Sequence, residues 1–123
     1  MSPMALKIKV QLYCGEEIAM GPGKADLLDA IRAHGSISAA GRALTMSYRR
    51  TWLLVDAMNR CWREPLVETA PGSSGGARVS AFGEMVLDHY RKLQEQLDLS
   101  ADCADYRALM GQMLAEPKAS QKE

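Results

Sequence analysis

Residues 35–60 read GSISAAGRALTMSYRRTWLLVDAMNR. Ile37, Ala40 and Leu44 stand at helical spacing, and the pattern then breaks at Leu44-Thr45-Met46-Ser47. Two short helices joined by a corner satisfy this order, with Ser47 as the hydroxyl cap that starts the second. On a helical wheel of about 100° per residue, Thr51, Val55, Met58 and Trp62 share one narrow wedge, the buried seam. Tyr48, Arg49, Trp52, Leu53, Asp56, Asn59, Arg60 and Arg63 take the other side. A helix that only filled a core would not load its exposed side with arginines and aromatic rings. One that enters the major groove of DNA needs that chemistry at its start. Arg reads guanine or grips phosphate, rings pack on thymine methyls and sugars, and free N-terminal amides favour anions. Ala39, Ala40, Gly41 and Ala43 are small, which lets the first helix approach and brace the second.

Outward from this pair, Leu6, Ile8, Val10 and Leu12 alternate with Lys7, Lys9 and Gln11, the period of a half-buried strand over residues 6–13. Gly15 turns the chain, and residues 16–20 return as a partner. Lys24 to His34 forms a helix with Leu27, Leu28 and Ile31 inward, stopped by Gly35. On the other side, residues 66–70 and 77–80 read as two strands of a hairpin around PGSSGG. Helix resumes at Phe82, with Phe82, Met85, Val86, His89, Leu93 and Leu97 in one stripe, followed by a further helix carrying Cys103, Tyr106, Met110, Met113 and Leu114. The fold class expected is mainly α with small β, a winged helix-turn-helix with an N-terminal strand or hairpin and C-terminal helices. One domain is expected over residues 1–116, with dimerisation helices over about 81–115 and a disordered tail over 117–123.

Composition leaves room for a nucleic-acid partner despite a formal net charge of 0. Between Arg42 and Arg63 stand five arginines against one acid, a net +4; between Glu84 and Asp105, two bases face six acids, a net −4. A chain segregated in this way can hold a polyanion on one side. The glycine-rich hairpin is not a nucleotide-cradling loop, because it lies between two strands and lacks the required lysine. It fits a wing that follows the sugar–phosphate backbone. Three well-separated cysteines with no CxxC pairing suit reduced thiols in the cytoplasm. Lys7 and Lys9 interrupt the first apolar stretch, so no secretory signal and no membrane span is expected. His34 and His89 have no metal-ligand spacing, no catalytic constellation can be assembled, and neither metal nor cofactor is expected.

The stretches GPGKADLLDAIRAHGSISAAGRALTMSYRRTWLLVDAMNR and PLVETAPGSSGGARVSAFGEMVLDHY, with GSIS, MSYRRTW, DAMN and PLVE their most telling pieces, resemble the N-terminal winged-helix domain of the molybdate-responsive ModE regulator family. More distantly they are similar to LysR-type DNA-binding domains. The similarity runs from Leu6 to Leu97. Val79-Ser80 replaces the family's usual Leu-Thr ahead of the post-wing helix and keeps the apolar residue and the capping hydroxyl. The resemblance implies a dimeric transcriptional regulator. Family members that sense molybdate carry a separate C-terminal module, and with only the post-wing helices before Glu123, molybdate binding is not carried over.

The expected DNA contacts are Arg42 on the first helix, Ser47, Tyr48, Arg49, Arg50 and Trp52 on the second, and Ser73, Ser74 and Arg78 on the wing. Phe82, Met85, Val86, His89, Leu93 and Leu97 are the expected dimer contacts. A two-fold dimer on double-stranded DNA implies a palindromic operator. The alternative is a winged-helix protein-interaction module without DNA binding; a small-molecule sensor at the dimer seam ranks last.

Overall fold

A computed structural model describes residues 6–70 and 76–122. Two short strands, β1 (Leu12–Cys14) and β2 (Glu17–Met20), form an antiparallel hairpin, and α1 (Pro22–His34) follows. Helices α2 (Ile37–Ala43) and α3 (Tyr48–Cys61) come next, then the hairpin β3 (Val67–Thr69) and β4 (Ala77–Val79). The long α4 (Ala81–Ser100) and α5 (Ala104–Gln112) close the described chain.

The core sits between α1, α2, α3, the wing and the first half of α4. Leu27, Leu28 and Ile31 of α1, Ala40 of α2 and Met58 of α3 are fully buried. Met20 and Leu66 close it from the two hairpins. Gly35 ends α1 in the left-handed region at φ 74°, returns its N–H to the Ile31 carbonyl, and accepts from the Ala77 N–H at 2.8 Å. The helix terminus thereby anchors the second strand of the wing.

The N-terminal strand is shorter than the alternation predicts. Ile8, Val10 and Leu12 do turn inward while Lys7 and Lys9 stay out, but residues 6–11 lie outside any strand. The return strand starts only at Glu17, and the register shifts between Leu12 and Tyr13, so the upstream residues have no ladder to join. What secures them is remote: the buried Tyr90 of α4 donates its phenol to the Val10 carbonyl at 2.7 Å. Alternating side chains fit packing as well as pairing, and here packing wins.

Helix α4 carries two apolar faces where the sequence shows one stripe. Gly83, Val86, Leu87 and Tyr90 turn to the core, with Gly83 so close to the wing that an added Cβ would lie 2.3 Å from the Leu66 carbonyl oxygen. Val86, expected at a dimer seam, is thus mainly a core residue. Ser80 caps the helix, accepting from the Gly83 N–H at 2.9 Å and donating to the Pro65 carbonyl at 2.7 Å. No residue of α5 is buried. After it, residues 113–122 form neither helix nor strand.

Candidate nucleic-acid interface

The corner between α2 and α3 is built by close approach. Gly41 faces the fully buried Thr51 so tightly that a Cβ at Gly41 would stand 2.2 Å from Thr51 Oγ1. Thr51 Oγ1 donates to the Ser47 carbonyl at 2.8 Å, so its polar atom is satisfied inside the crossing. Between the helices, Thr45 adopts φ 58°, and the Met46 N–H returns to the Gly41 carbonyl at 2.8 Å. A left-handed β-branched residue costs energy. The bonds and packing around it hold the turn that aims α3.

Ser47 is the N-cap of α3, its hydroxyl oxygen accepting from the Arg50 N–H at 3.1 Å. The inward seam is formed as the wheel requires: Thr51, Val55 and Met58 are buried, and Trp62 follows half-buried, donating its indole N–H to the Ala19 carbonyl at 3.0 Å. With its back fixed, α3 turns Tyr48, Arg49, Arg50, Trp52 and Leu53 to solvent. Tyr48, 66% exposed, meets Trp52, 38% exposed, in an edge-on pair with ring centroids 6.1 Å apart. Together they form an exposed aromatic shelf on the first two turns.

Charge on this face is sorted by pairing. Arg60, at the far end of α3, is engaged by Asp56 at 2.8 Å and Glu17 at 2.9 Å. Those contacts hold Glu17 below the usual carboxylate range, the Arg60 hydrogen bond being the main cause. Among the described residues, Arg42, Arg49 and Arg50 have no carboxylate within 4.0 Å. Arg78 of the wing does: its guanidinium grips Glu68 on the neighbouring strand at 2.9 and 3.0 Å while its side chain stays 81% exposed. Ser73 and Ser74 lie outside the described residues.

Asn59 is the residue that the sequence misplaces. The wheel sets it on the exposed side, yet its side chain splices α3 to the wing. Its Oδ1 accepts from the Leu66 and Val67 N–H groups at 2.9 and 3.1 Å, and its Nδ2 donates to the Val67 carbonyl at 3.1 Å. The signal available was its place in the last turn before a Pro65-led strand, where a reversing chain must pass the helix end. An amide there can serve both a donor and an acceptor of the strand.

All the expected dimer residues except the buried Val86 keep surface open to solvent. Phe82, Met85, His89 and Leu93, with Leu12 and Trp62, line an apolar hollow of about 190 Å³. Leu97 continues the stripe along α4, and Leu99 and Leu109 are likewise exposed. Among the described residues no helix is long and apolar enough to cross a membrane, and no group of three His, Cys, Asp or Glu residues is placed to hold a metal.

No family model matches the chain. The resemblance to ModE regulators stands on curated relatives. The molybdenum-pterin-binding protein MopA of Rhodobacter capsulatus is 36% identical over 80 residues, which is 63% of this chain and 30% of that protein. MopB of the same organism is 40% identical over 77 residues, 61% of this chain and 28% of that one. The dual regulator ModE of Escherichia coli K12 is 29% identical over 105 residues, 80% and 40% of the two chains. The chain therefore spans about a third of the length of the curated relatives it matches. Among solved structures, CbnR_DBD in a complex with DNA superposes with a TM-score of 0.54 at 22% identity, covering 70% of this chain and 95% of that one. That likeness establishes the fold, a winged helix-turn-helix.

Proposed function

We propose that this chain is the sequence-specific DNA-binding part of a transcriptional regulator, with α3 entering the major groove. The observation that carries the reading is the first half of α3. Its back is locked into the core through Thr51, while the Tyr48–Trp52 shelf stands exposed and Arg49 and Arg50 have no carboxylate partner among the described residues. Unpaired guanidinium groups beside exposed rings suit base edges, sugars and phosphates. Arg49 and Tyr48 read bases, the Ser47 hydroxyl keeps its proton to donate outward, and Trp52 supports the sugar contact. Arg42 holds phosphate from the end of α2. Arg78, already shared with Glu68, tracks the backbone beside the wing tip with Ser73 and Ser74. Residues up to about 116 act as one unit without cofactor or catalytic group, in the cytoplasm. ModE-named relatives and a fold seen in complex with DNA support this reading.

The open apolar face of α4 and the wholly unburied α5 support a homodimer through Phe82, Met85, His89, Leu93 and Leu97, with Val86 contributing only its edge. Two copies about a two-fold axis present two α3 helices roughly 34 Å apart, or a multiple of it, to a palindromic site.

Selection of bound sequences from random duplexes tests binding and half-site symmetry together. On a selected duplex, Arg49→Ala lowers affinity by about 1–3 kcal/mol and relaxes preference at one base position. Unchanged affinity with unchanged preference refutes the role of Arg49. Affinity that does not fall as salt rises favours a protein-interaction module instead.

A further inference from the structure

A hollow of about 180 Å³ opens beside α3, between that helix and the start of α1. Three cations from separate parts of the chain line it: Lys9 ahead of β1, Lys24 of α1 and Arg50 of α3. Among the described residues none of the three has a carboxylate within 4.0 Å. Lys24 is half-buried, and burial is the main cause that holds its ammonium below the usual lysine range, against the pull of Cys61 and with Arg50 adding to it. Glu17, which pulls the other way on Lys24, is itself engaged by Arg60 at 2.9 Å. Like charges gathered around a partly desolvated lysine disfavour its charged form unless an anion joins them.

The backbone at the same place is also open. Gly21 caps α1 without a side chain, Pro22 has no N–H, and the first turn carries no acid. Helices commonly fill this position with a hydroxyl or carboxylate oxygen. Here the Gly23 and Lys24 amides are left without one, in the hollow the cations surround.

We infer that the hollow seats a phosphate oxyanion, namely a backbone phosphate of the duplex flanking the groove that α3 reads. The inference rests on the DNA-binding reading above and gives Arg50 its own task. Arg50 lies about 100° around the helix from Arg49. It turns towards α1 while Arg49 turns to the bases. Inorganic phosphate carries the same chemistry, so the test separates the two sources.

Each phosphate of a selected duplex is replaced in turn by a neutral methylphosphonate, and wild type is compared with Lys24→Gln, with Lys9→Gln as a second variant. Circular dichroism confirms that both variants keep the fold. One position weakens wild type about fivefold near ~0.15 M salt, the loss expected from a slope of about −0.9 per phosphate relative to 1 M salt. The same replacement weakens K24Q and K9Q clearly less than wild type, and the salt slope of K24Q falls by about 1 with base preference unchanged. If every replacement weakens K24Q as much as wild type, the phosphate seat is refuted while DNA binding stands. If wild type binds no duplex, the regulator reading fails first. Titration with inorganic phosphate then decides the hollow: saturating shifts of the Gly23 and Lys24 amides, lost in K24Q, retain the oxyanion seat for a free anion. Amides that do not move overturn it.

Discussion

Gly41→Ala adds one methyl group at the tightest point of the α2–α3 crossing. The new Cβ would lie 2.2 Å from Thr51 Oγ1 and 3.1 Å from Thr51 Cβ and Cγ2. Ordinary contact between such atoms begins above about 3.4 Å, so the helices must part by about 1 Å or Thr51 must rotate. Rotation is blocked by burial and by the bond from Oγ1 to the Ser47 carbonyl. Overpacking of this kind costs about 1–3 kcal/mol, and alanine returns up to about 1 kcal/mol through better helix propensity. The expected net loss is therefore about 1–2 kcal/mol, read as a lowered urea midpoint at unchanged slope. Thr51→Ala removes Oγ1 and Cγ2, the closest contact among them, and leaves only the Cβ at 3.1 Å, so the double variant G41A/T51A should be more stable than the sum of the single effects by about 1 kcal/mol. Since Thr51 fixes the back of α3, G41A also displaces the reading face, and duplex affinity should fall with stability. A G41A protein as stable as wild type, with additive behaviour in the double variant, would refute the close crossing.

Asn59→Ala leaves the Leu66 and Val67 amides without their side-chain acceptor next to two buried residues. The expected cost is about 2 kcal/mol in urea unfolding, and Asn59→Asp, which keeps the acceptor but sets a second oxygen against the Val67 carbonyl, should recover only part of it. Asp29 of α1 is raised by burial but lowered further by hydrogen bonds from Arg91 and Arg32, so its carboxyl lies below the ordinary 3.8. A depressed carboxyl contributes stability above its unfolded value and loses it as pH falls through the folded one. Asp29→Asn should therefore cost up to about 1 kcal/mol at pH 7, given half-exposed partners, and the gap to wild type should close in titrations below pH 4.

The parts of the sequence that were most legible are those where one side chain does one thing. The α3 seam, the Ser47 and Ser80 caps and the Gly35 stop each follow from local chemistry, and each stands where periodicity puts it. Legibility failed where a residue's role depends on a segment far along the chain. Residues 6–11 alternate correctly, yet whether they pair or pack is decided by Tyr90, eighty residues away. Asn59 reads as exposed because a wheel knows only its own helix, not the strand that returns across its end. The α4 stripe split in two for the same reason. The wing's approach to Gly83 fixes which face goes inward, which Phe82 and Met85 alone cannot reveal.

Net charge was the most misleading global number, and the pairing pattern explains why. Arg32, Arg60, Arg78, Arg91, Lys92 and Arg107 are each bound to acids of the same chain. These pairs engage acids on α1, α3, α4, the two hairpins and the link between α4 and α5. Among the described cations with no carboxylate within 4.0 Å, Lys9, Lys24, Arg42, Arg49 and Arg50 lie on or beside the two helices of the corner and the start of α1. At physiological salt, screening reaches across only about 8 Å, so a phosphate approaching α3 responds to these cations and not to the sum over 123 residues. The acids of α4 compensate the arginines in number but stand away from α3, and two of them are engaged there: Glu84 by Arg32 and Asp88 by Lys92. A neutral chain can therefore carry a surface that attracts a polyanion, provided its acids are paired away from that surface. Reversing the sign of one such acid would alter folding contacts before it altered the field at α3, whereas neutralising Arg49 or Lys24 changes that field directly.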